Sequence, residues 1–213
     1  LIQQGADDYL TKSRFDRESI ATCFRNVLEK GKLKREIRTA RRKISEMATL
    51  DELTGLYNRR YFMEALERER SRAQRHGKAL SLCMMDLDFF KSVNDKLGHG
   101  AGDLVLADMG RIIREWSRQS DVPCRYGGEE FAVILPETDI EGARVACERL
   151  RQMVEENQVP WRTGPIRITA SMGVAQNRTN TKDSIRKLID RADEALYRAK
   201  ETGRNRVKIR NGG

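Results

Sequence analysis

Two pairs of carboxylates stand out because each interrupts an apolar run with the pattern of a buried strand. Asp86 and Asp88 lie within LCMMDLDFF, and Glu129 and Glu130 follow two glycines in CRYGGEEFAVIL. Adjacent carboxylates repel one another, and burying them costs free energy unless a cation neutralises them. If the two strands are neighbours in one sheet, Asp86 and one of the glutamates face each other across it.

Either a metal ion or basic side chains can supply the neutralising charge. Carboxylate oxygens without a nearby His or Cys suit Mg²⁺ or Mn²⁺, and Mg²⁺ is usually held by few carboxylates together with phosphate oxygens. Nucleotide chemistry is therefore the first expectation. The alternative is ordinary ion pairing, for which the chain has 41 Lys and Arg residues. The spacing of the acids does not decide between the two.

A glycine-rich segment, KSVNDKLGHGAGD, supplies Asn94 and Asp103 just before a helix. An amide and a carboxylate together can recognise guanine, because the amide bonds O6 and the carboxylate accepts from N1 and N2. Asp103 is equally suited to be a helix N-cap. Gly127 and Gly128 let a bulky ligand approach the backbone, although a Gly-Gly pair is also common in a plain hairpin turn.

The segments that carry these residues alternate between helix and strand from Asp51 onward. Their order is helix, strand, helix, hairpin, helix, strand, helix, with the hairpin turn at Gly127-Gly128 and the last strand in IRITASMGVA. Hairpin pairing combined with helical crossovers predicts an α/β (α+β) fold. We expect a central mixed sheet flanked by helices, which lie on one face of it.

Three regions are predicted along the chain. Residues 1–30 have the pattern of the end of an α/β unit and are too few to bury a core alone. Residues 31–50 form a helical linker, and residues 51–213 form the main domain. The apolar residues of the linker follow heptad spacing: Leu33, Ile37, Ala40, Ile44 and Met47. A two-stranded coiled coil is favoured over a helix docked on its own domain, because the rest of the helix surface is highly charged.

Net charge is +9, and the segment from Lys30 to Met47 holds eight basic and two acidic residues. Such a segment can attract nucleic acid, lipid or anionic nucleotides, or it can be a solvated helix face. No apolar run reaches the roughly 18 residues of a membrane span, so no membrane insertion is expected. The first residue is Leu rather than Met, which predicts a fragment of a longer protein.

The four cysteines show no CxxC spacing and lie in apolar surroundings. They are predicted to be reduced thiols of a cytoplasmic protein: Cys23, Cys83, Cys124 and Cys147.

Five blocks in a fixed order resemble the GGDEF domain of diguanylate cyclases: DELTGLYNRRYF, MDLDFFKSVNDKLGHGAGD, RYGGEEF, ITASMGVA and DEALYRAKETGRNRV. The resemblance covers about three quarters of the chain, and the signature appears as GGEEF, a variant found in active members. It implies a palm-like fold similar to that of nucleotidyl cyclases. It also implies condensation of two GTP into cyclic di-GMP and two pyrophosphates, as bacterial second-messenger signalling.

By the same resemblance, Asp86, the Leu87 carbonyl and Glu129 would hold two Mg²⁺ ions, with Mn²⁺ as a possible substitute. Glu129 would also take the 3′-OH proton. Asn94 and Asp103 would recognise guanine. Three basic residues would neutralise phosphate charge, and two glycines would admit the nucleotide to the hairpin: Lys91, Lys200 and Arg204, and Gly127 and Gly128.

The resemblance also predicts how the domain is assembled and controlled. Each domain holds one GTP, so a homodimer or higher homo-oligomer must form, and a coiled coil would raise the local concentration of half-sites. RQSD places Arg118 and Asp121 where the family has a product-binding inhibitory site, which Arg149 would complete. The alternative reading of Arg118 and Asp121 is an exposed salt bridge.

GADDYLTKS resembles the end of a response-regulator receiver domain of two-component signalling, with Lys12 as its switch lysine and Ser13 in place of the usual Pro. The segment with the phosphoacceptor Asp is absent, so phosphorylation control should be missing. Two other functions compete with the active cyclase. One is a silent module that binds cyclic di-GMP or GTP, although GGEEF is intact here. The other is a basic nucleic-acid binder, for which no recognition module is visible.

Overall fold

The computed structural model describes Cys23, residues 25–32, Lys34 and residues 49–177 and 184–210. The chain divides between residues 48 and 49 into two units. In the first unit, residues 25–32 are helical. The predicted receiver remnant and the heptad residues of the linker lie almost wholly outside the described residues.

The second unit alternates strands and helices. In chain order its elements are β1 (Tyr57–Asn58), α1 (Arg59–His76), β2 (Leu80–Leu87), α2 (Phe90–Leu97), α3 (His99–Trp116), β3 (Val122–Gly127), β4 (Glu130–Pro136), α4 (Ile140–Glu156), β5 (Ala170–Gln176), α5 (Ile185–Glu201) and β6 (Val207–Arg210).

The strands form one mixed sheet in the order β1-β3-β4-β2-β5-β6. The central strand β2 is antiparallel to both of its neighbours, β4 and β5, and β3 pairs with β4 as a hairpin. The two edge strands run parallel to their neighbours. The predicted mixed sheet with flanking helices is therefore confirmed.

Helices cover both faces of this sheet, so the prediction that they lie on one face is wrong. On β2, Cys83 and Met85 pack into a core with α3 and α4. Leu82 and Met84 point the other way, into a second core with α1 and α5. A run such as LSLCMM, which is apolar apart from Ser81, is typical of a strand that is buried on both faces.

Several element boundaries differ from the sequence prediction. α2 overlaps the glycine-rich segment, for which no helix was predicted, and the short strands β1 and β6 were not predicted either. β5 begins at Ala170, because Ile166 forms only an isolated bridge with Val159. α3 begins at His99 after Gly98, so Asp103 lies inside this helix and is not its N-cap.

The described cysteines are free thiols, and three of them are buried: Cys83, Cys124 and Cys147. Burial raises the pKa of the Cys124 thiol. None of the described helices combines the length and the apolar composition that crossing a bilayer requires.

α5 approaches β5 closely at Gly173, which has no side chain to keep the helix away. A Cβ atom at Gly173 would lie 2.1 Å from the Leu196 nitrogen and 2.2 Å from the Ala192 carbonyl oxygen. Both neighbours are helix backbone and cannot rotate aside. This contact fixes the height of α5 above the sheet, and α5 carries Lys200 at its end.

We expect Gly173→Ala to destabilise the domain by about 1–3 kcal/mol, the usual cost of overpacking a core. Denaturant unfolding measures this change in the free energy of unfolding. Gly100→Ala is the matched control, because no atom lies within 4 Å of a Cβ at that position. Equal stability of Gly173→Ala and the wild type would contradict the packing described for α5.

Candidate active site

Asp86 is the one acidic residue of the central strand β2, whose other members are apolar apart from Ser81. Its side chain is 13% exposed, and the Lys200 Nζ lies 2.7 Å from its Oδ2. Burial is the largest influence and raises the pKa of Asp86, the Lys200 ammonium lowers it, and Glu129 and Asp88 raise it further. The Lys200 ammonium therefore supplies the positive charge that the partly buried Asp86 carboxylate needs.

Glu129 lies in the two-residue turn between β3 and β4. The turn consists of Gly128 and Glu129, while Gly127 ends β3 and pairs with Glu130. The predicted Gly-Gly turn is thus displaced by one residue. Gly128 has a φ of 47°, and such short hairpin turns require a left-handed residue at this position.

The hairpin turn is tied to the end of β2. The Leu87 N–H donates to the Glu129 carbonyl oxygen at 3.3 Å, and Asp86 is the direct partner of Glu130 in the β2–β4 register. The predicted convergence of Asp86 with the glutamates is therefore present in the sheet.

Arg125 fixes the turn from the other side, and the sequence analysis missed it. Its Nε donates to the Gly128 carbonyl oxygen at 3.0 Å, and its Nη1 lies 3.2 Å from both carboxylate oxygens of Asp51. The two partners stand in the blocks DELTG and RYGG, but 74 residues of chain separate them. Only the fold shows that they meet.

The two residues predicted to recognise guanine lie on successive helices. Asn94 is partly buried on α2, and Asp103 is exposed on α3. The Asn94 Oδ1 lies only 2.0 Å from where a Cβ of Gly102 would be, and the Phe90 ring is 3.1 Å from the same point. Gly102 therefore lets the Asn94 amide pack beside the helix turn that carries Asp103.

The three basic residues predicted to contact phosphate have different surroundings. Lys200 pairs with Asp86, as described above. Arg204 follows α5, and its guanidinium carbon lies 4.7 Å from the centre of the Phe89 ring. Lys91 is exposed in the first turn of α2.

The predicted metal ligands are two carboxylates and one backbone carbonyl: Asp86, Glu129 and Leu87. In the described part of the chain, no group of three or more His, Cys, Asp or Glu side chains is arranged to hold a metal ion. The predicted set does not require such a group, because a carbonyl oxygen supplies its third ligand. The Lys200 ammonium beside Asp86 is the ion pair that the alternative interpretation predicts, so a metal ion at this carboxylate stays a proposal.

A cleft away from Asp86 brings together the residues predicted to bind product. Arg118, Asp121 and Arg149 all line it. The Arg118 backbone N–H donates to the Asp121 Oδ2 at 2.9 Å, and the Asp121 N–H donates to the Arg118 carbonyl oxygen at 3.0 Å. Asp121 thus bonds to the backbone of Arg118, which differs from the salt bridge of the alternative interpretation. Burial raises the pKa of Asp121.

Comparison with known proteins agrees with this fold. Residues 48–206 match the family model described as "Diguanylate cyclase, GGDEF domain". The chain belongs to the GGDEF family of diguanylate cyclases. The resemblance inferred from the five sequence blocks is confirmed at the level of this enzyme family.

Individual relatives extend the comparison. Diguanylate cyclase A of Treponema denticola is 40% identical over 168 residues, which are 77% of this chain and 45% of that protein. Response regulator PleD of Caulobacter vibrioides is 35% identical over 208 residues, or 97% of this chain and 45% of that one. The chain thus spans less than half the length of these relatives.

A solved structure shows the same fold. It contains the coiled coil and GGDEF domain of DgcB from Caulobacter crescentus in complex with c-di-GMP. The TM-score is 0.72 at 30% identity, and the match covers 91% of this chain and 100% of the other.

If Asn94 recognises guanine as the resemblance implies, Gly102→Ala should weaken GTP binding about tenfold, because the added methyl group displaces the Asn94 amide and would remove about one to two hydrogen bonds. Isothermal titration with α,β-methylene GTP, which is not turned over, measures the affinity. Gly100→Ala, with open space around its Cβ, should bind as the wild type does. Unchanged affinity of Gly102→Ala would show that Asn94 does not contact the base.

Proposed function

We propose that this chain condenses two GTP molecules into cyclic di-GMP and two pyrophosphates. The observation that carries the proposal is the meeting of Asp86, Lys200 and the Glu129 turn at one end of the central strand. A partly buried carboxylate beside a second acid and a lysine ammonium suits metal-assisted phosphate chemistry better than a structural role. Membership of the diguanylate cyclase family supports the same reaction.

Asp86, the Leu87 carbonyl and Glu129 are the residues proposed to hold two Mg²⁺ or Mn²⁺ ions. When bound, such a pair of ions activates a 3′-oxygen and stabilises the leaving pyrophosphate. Lys200 favours the ionised form of Asp86 against the effect of burial. Its ammonium can also donate to a phosphate oxygen.

The remaining residues bind and orient the nucleotide. Asn94 and Asp103 hydrogen-bond the guanine edge, while Arg204 and Lys91 donate to phosphate oxygens. Gly127 and Gly128 leave room for the nucleotide beside the hairpin. Glu129 is the proposed acceptor of the 3′-OH proton, because it lies in the turn next to Asp86.

Each domain supplies half of the catalytic assembly, so the active species is proposed to be a homodimer or a higher homo-oligomer. Each 3′-OH attacks the α-phosphate of the GTP in the other domain. Residues 31–50 would form the coiled coil that brings two domains together, as the matched DgcB structure contains a coiled coil. Residues 51–213 form the cyclase domain.

Residues 1–30 are proposed to be the end of a receiver domain, which places the parent protein in cytoplasmic two-component signalling. The support is that the match with Response regulator PleD covers 97% of this chain, well beyond the GGDEF domain. Neither nucleic acid nor a membrane is needed as a partner in this scheme.

Glu129→Gln should lower the rate of cyclic di-GMP formation at least about 100-fold, since it removes the charge needed for both metal binding and proton transfer. Chromatography of GTP, cyclic di-GMP and pyrophosphate measures the rate. Glu156→Gln, an exposed change at the end of α4, is the control and should be as active as the wild type. Substantial turnover by Glu129→Gln would refute the assigned role.

The cleft of Arg118, Asp121 and Arg149 is proposed to bind cyclic di-GMP and inhibit the enzyme. Its two guanidinium groups suit phosphate, and the carboxylate of Asp121 suits a guanine edge. The DgcB structure of the same fold was solved in complex with c-di-GMP.

Arg118→Ala should raise the product concentration that halves the rate by about tenfold or more, through loss of a charge-assisted contact to phosphate. The rate without added product should stay unchanged. Arg144→Ala removes an exposed arginine of α4 that pairs with Glu141 and serves as the control. If inhibition of Arg118→Ala equals that of the wild type, this cleft is not the inhibitory site.

A further inference from the structure

The turn that carries Arg204 has an unusual backbone. Arg204 and Asn205 have φ values of 59° and 45°, so two successive residues other than glycine are left-handed. Such conformations are disfavoured for side chains with a Cβ, and they persist only where surrounding contacts hold them. Those contacts show what the turn is built to present.

Asp88 provides one of the contacts that hold this turn. It follows the last residue of β2 and is only 4% exposed. Its Oδ1 accepts from the Ser171 hydroxyl at 2.7 Å, and its Oδ2 accepts from the Thr169 hydroxyl at 2.7 Å and from the Asn205 N–H at 3.0 Å. The bond from the Asn205 N–H therefore ties Asp88 directly to the backbone of the left-handed turn.

The Asn205 side chain holds the same turn against α4. Its Oδ1 accepts from the Arg151 Nη1 at 2.8 Å, and its Nδ2 donates to the Glu155 Oε1 at 2.7 Å. The backbone next to Arg204 is therefore held by Asp88, which follows β2, and by two residues of α4.

Phe89, the residue after Asp88, contacts the other end of Arg204. Its side chain is 66% exposed, its φ is 58°, and the Arg204 guanidinium lies over its ring at 4.7 Å. Core packing does not explain an aromatic ring in this position. A guanidinium stacked on a ring keeps the donors along its edge available for a phosphate.

We propose that Asp88 and Phe89 are positioning residues, which together preorganise Arg204 for a phosphate group of GTP. Asp88 fixes the backbone of the turn, and Phe89 fixes the guanidinium. A side chain held in its binding conformation loses less entropy when the ligand arrives, so affinity rises without a new contact. This inference rests on the proposed function, since it takes GTP as the ligand of Arg204.

Phe89 is tested by binding of α,β-methylene GTP with Mg²⁺, which does not depend on turnover. Phe89→Leu should weaken binding about two- to fivefold through loss of the cation–π contact, and Phe89→Tyr should restore it. In an Arg204→Ala background, Phe89→Leu should have no further effect. Tyr197→Leu, an equally exposed aromatic change at 62% exposure, is the control and should bind as the wild type does.

A loss of the same size in both backgrounds would overturn the proposal, because Phe89 would then act without Arg204. Unchanged nucleotide binding by Phe89→Leu in the wild-type background would also overturn the proposal. If the wild-type chain makes no cyclic di-GMP but the coupled loss is seen, the proposed function fails and the positioning role stands.

Asp88 is tested without any nucleotide, by hydrogen exchange of the Asn205 amide measured by NMR. Asp88→Asn keeps the size of the side chain but removes its charge, so exchange should accelerate about fivefold or more. Unchanged exchange would overturn the role of Asp88. Asp108→Asn changes a partly buried carboxylate of α3 that pairs with Arg111, and it should leave the Asn205 amide unaffected.

Discussion

The arrangement of this domain depends on one constraint. Asp86 lies at the end of β2, a strand with helices on both faces, and its carboxylate must be neutralised. β2 is buried on both faces, and Asp86 is placed where its apolar run ends. Burial raises the pKa of Asp86, and a lysine from the far end of the chain opposes that effect. The hairpin turn, α5 and the central strand therefore converge on one charge, and nucleotide chemistry is proposed at that point.

Close backbone packing makes the convergence possible. Gly173 lets α5 lie against β5, and Gly102 lets Asn94 lie against α3. At Gly110 of α3, the Thr54 carbonyl oxygen lies 2.4 Å from where a Cβ would be. The DELTG turn can therefore pack directly against this helix. Each glycine brings one site element nearer than any side chain would permit.

The sequence predicted the alternating elements and the acids well, because apolar periodicity and an interrupted strand are local signals. The covering of both sheet faces was misjudged, although the almost wholly apolar run LSLCMM indicates it. Alternation along a strand predicts that Asp88 lies on the same side as Asp86, but β2 ends at Leu87 and the chain turns there. The Asp51–Arg125 pair joins residues far apart in the chain, and no local pattern carries that information.

The central claim is that this site condenses GTP, and the most direct measurement is incubation of the purified chain with GTP and Mg²⁺. Chromatography should show cyclic di-GMP together with two pyrophosphates for each molecule formed. Formation of neither product, at concentrations where GTP binding and dimerisation are both demonstrated, would contradict the account and leave a nucleotide-binding module without catalysis.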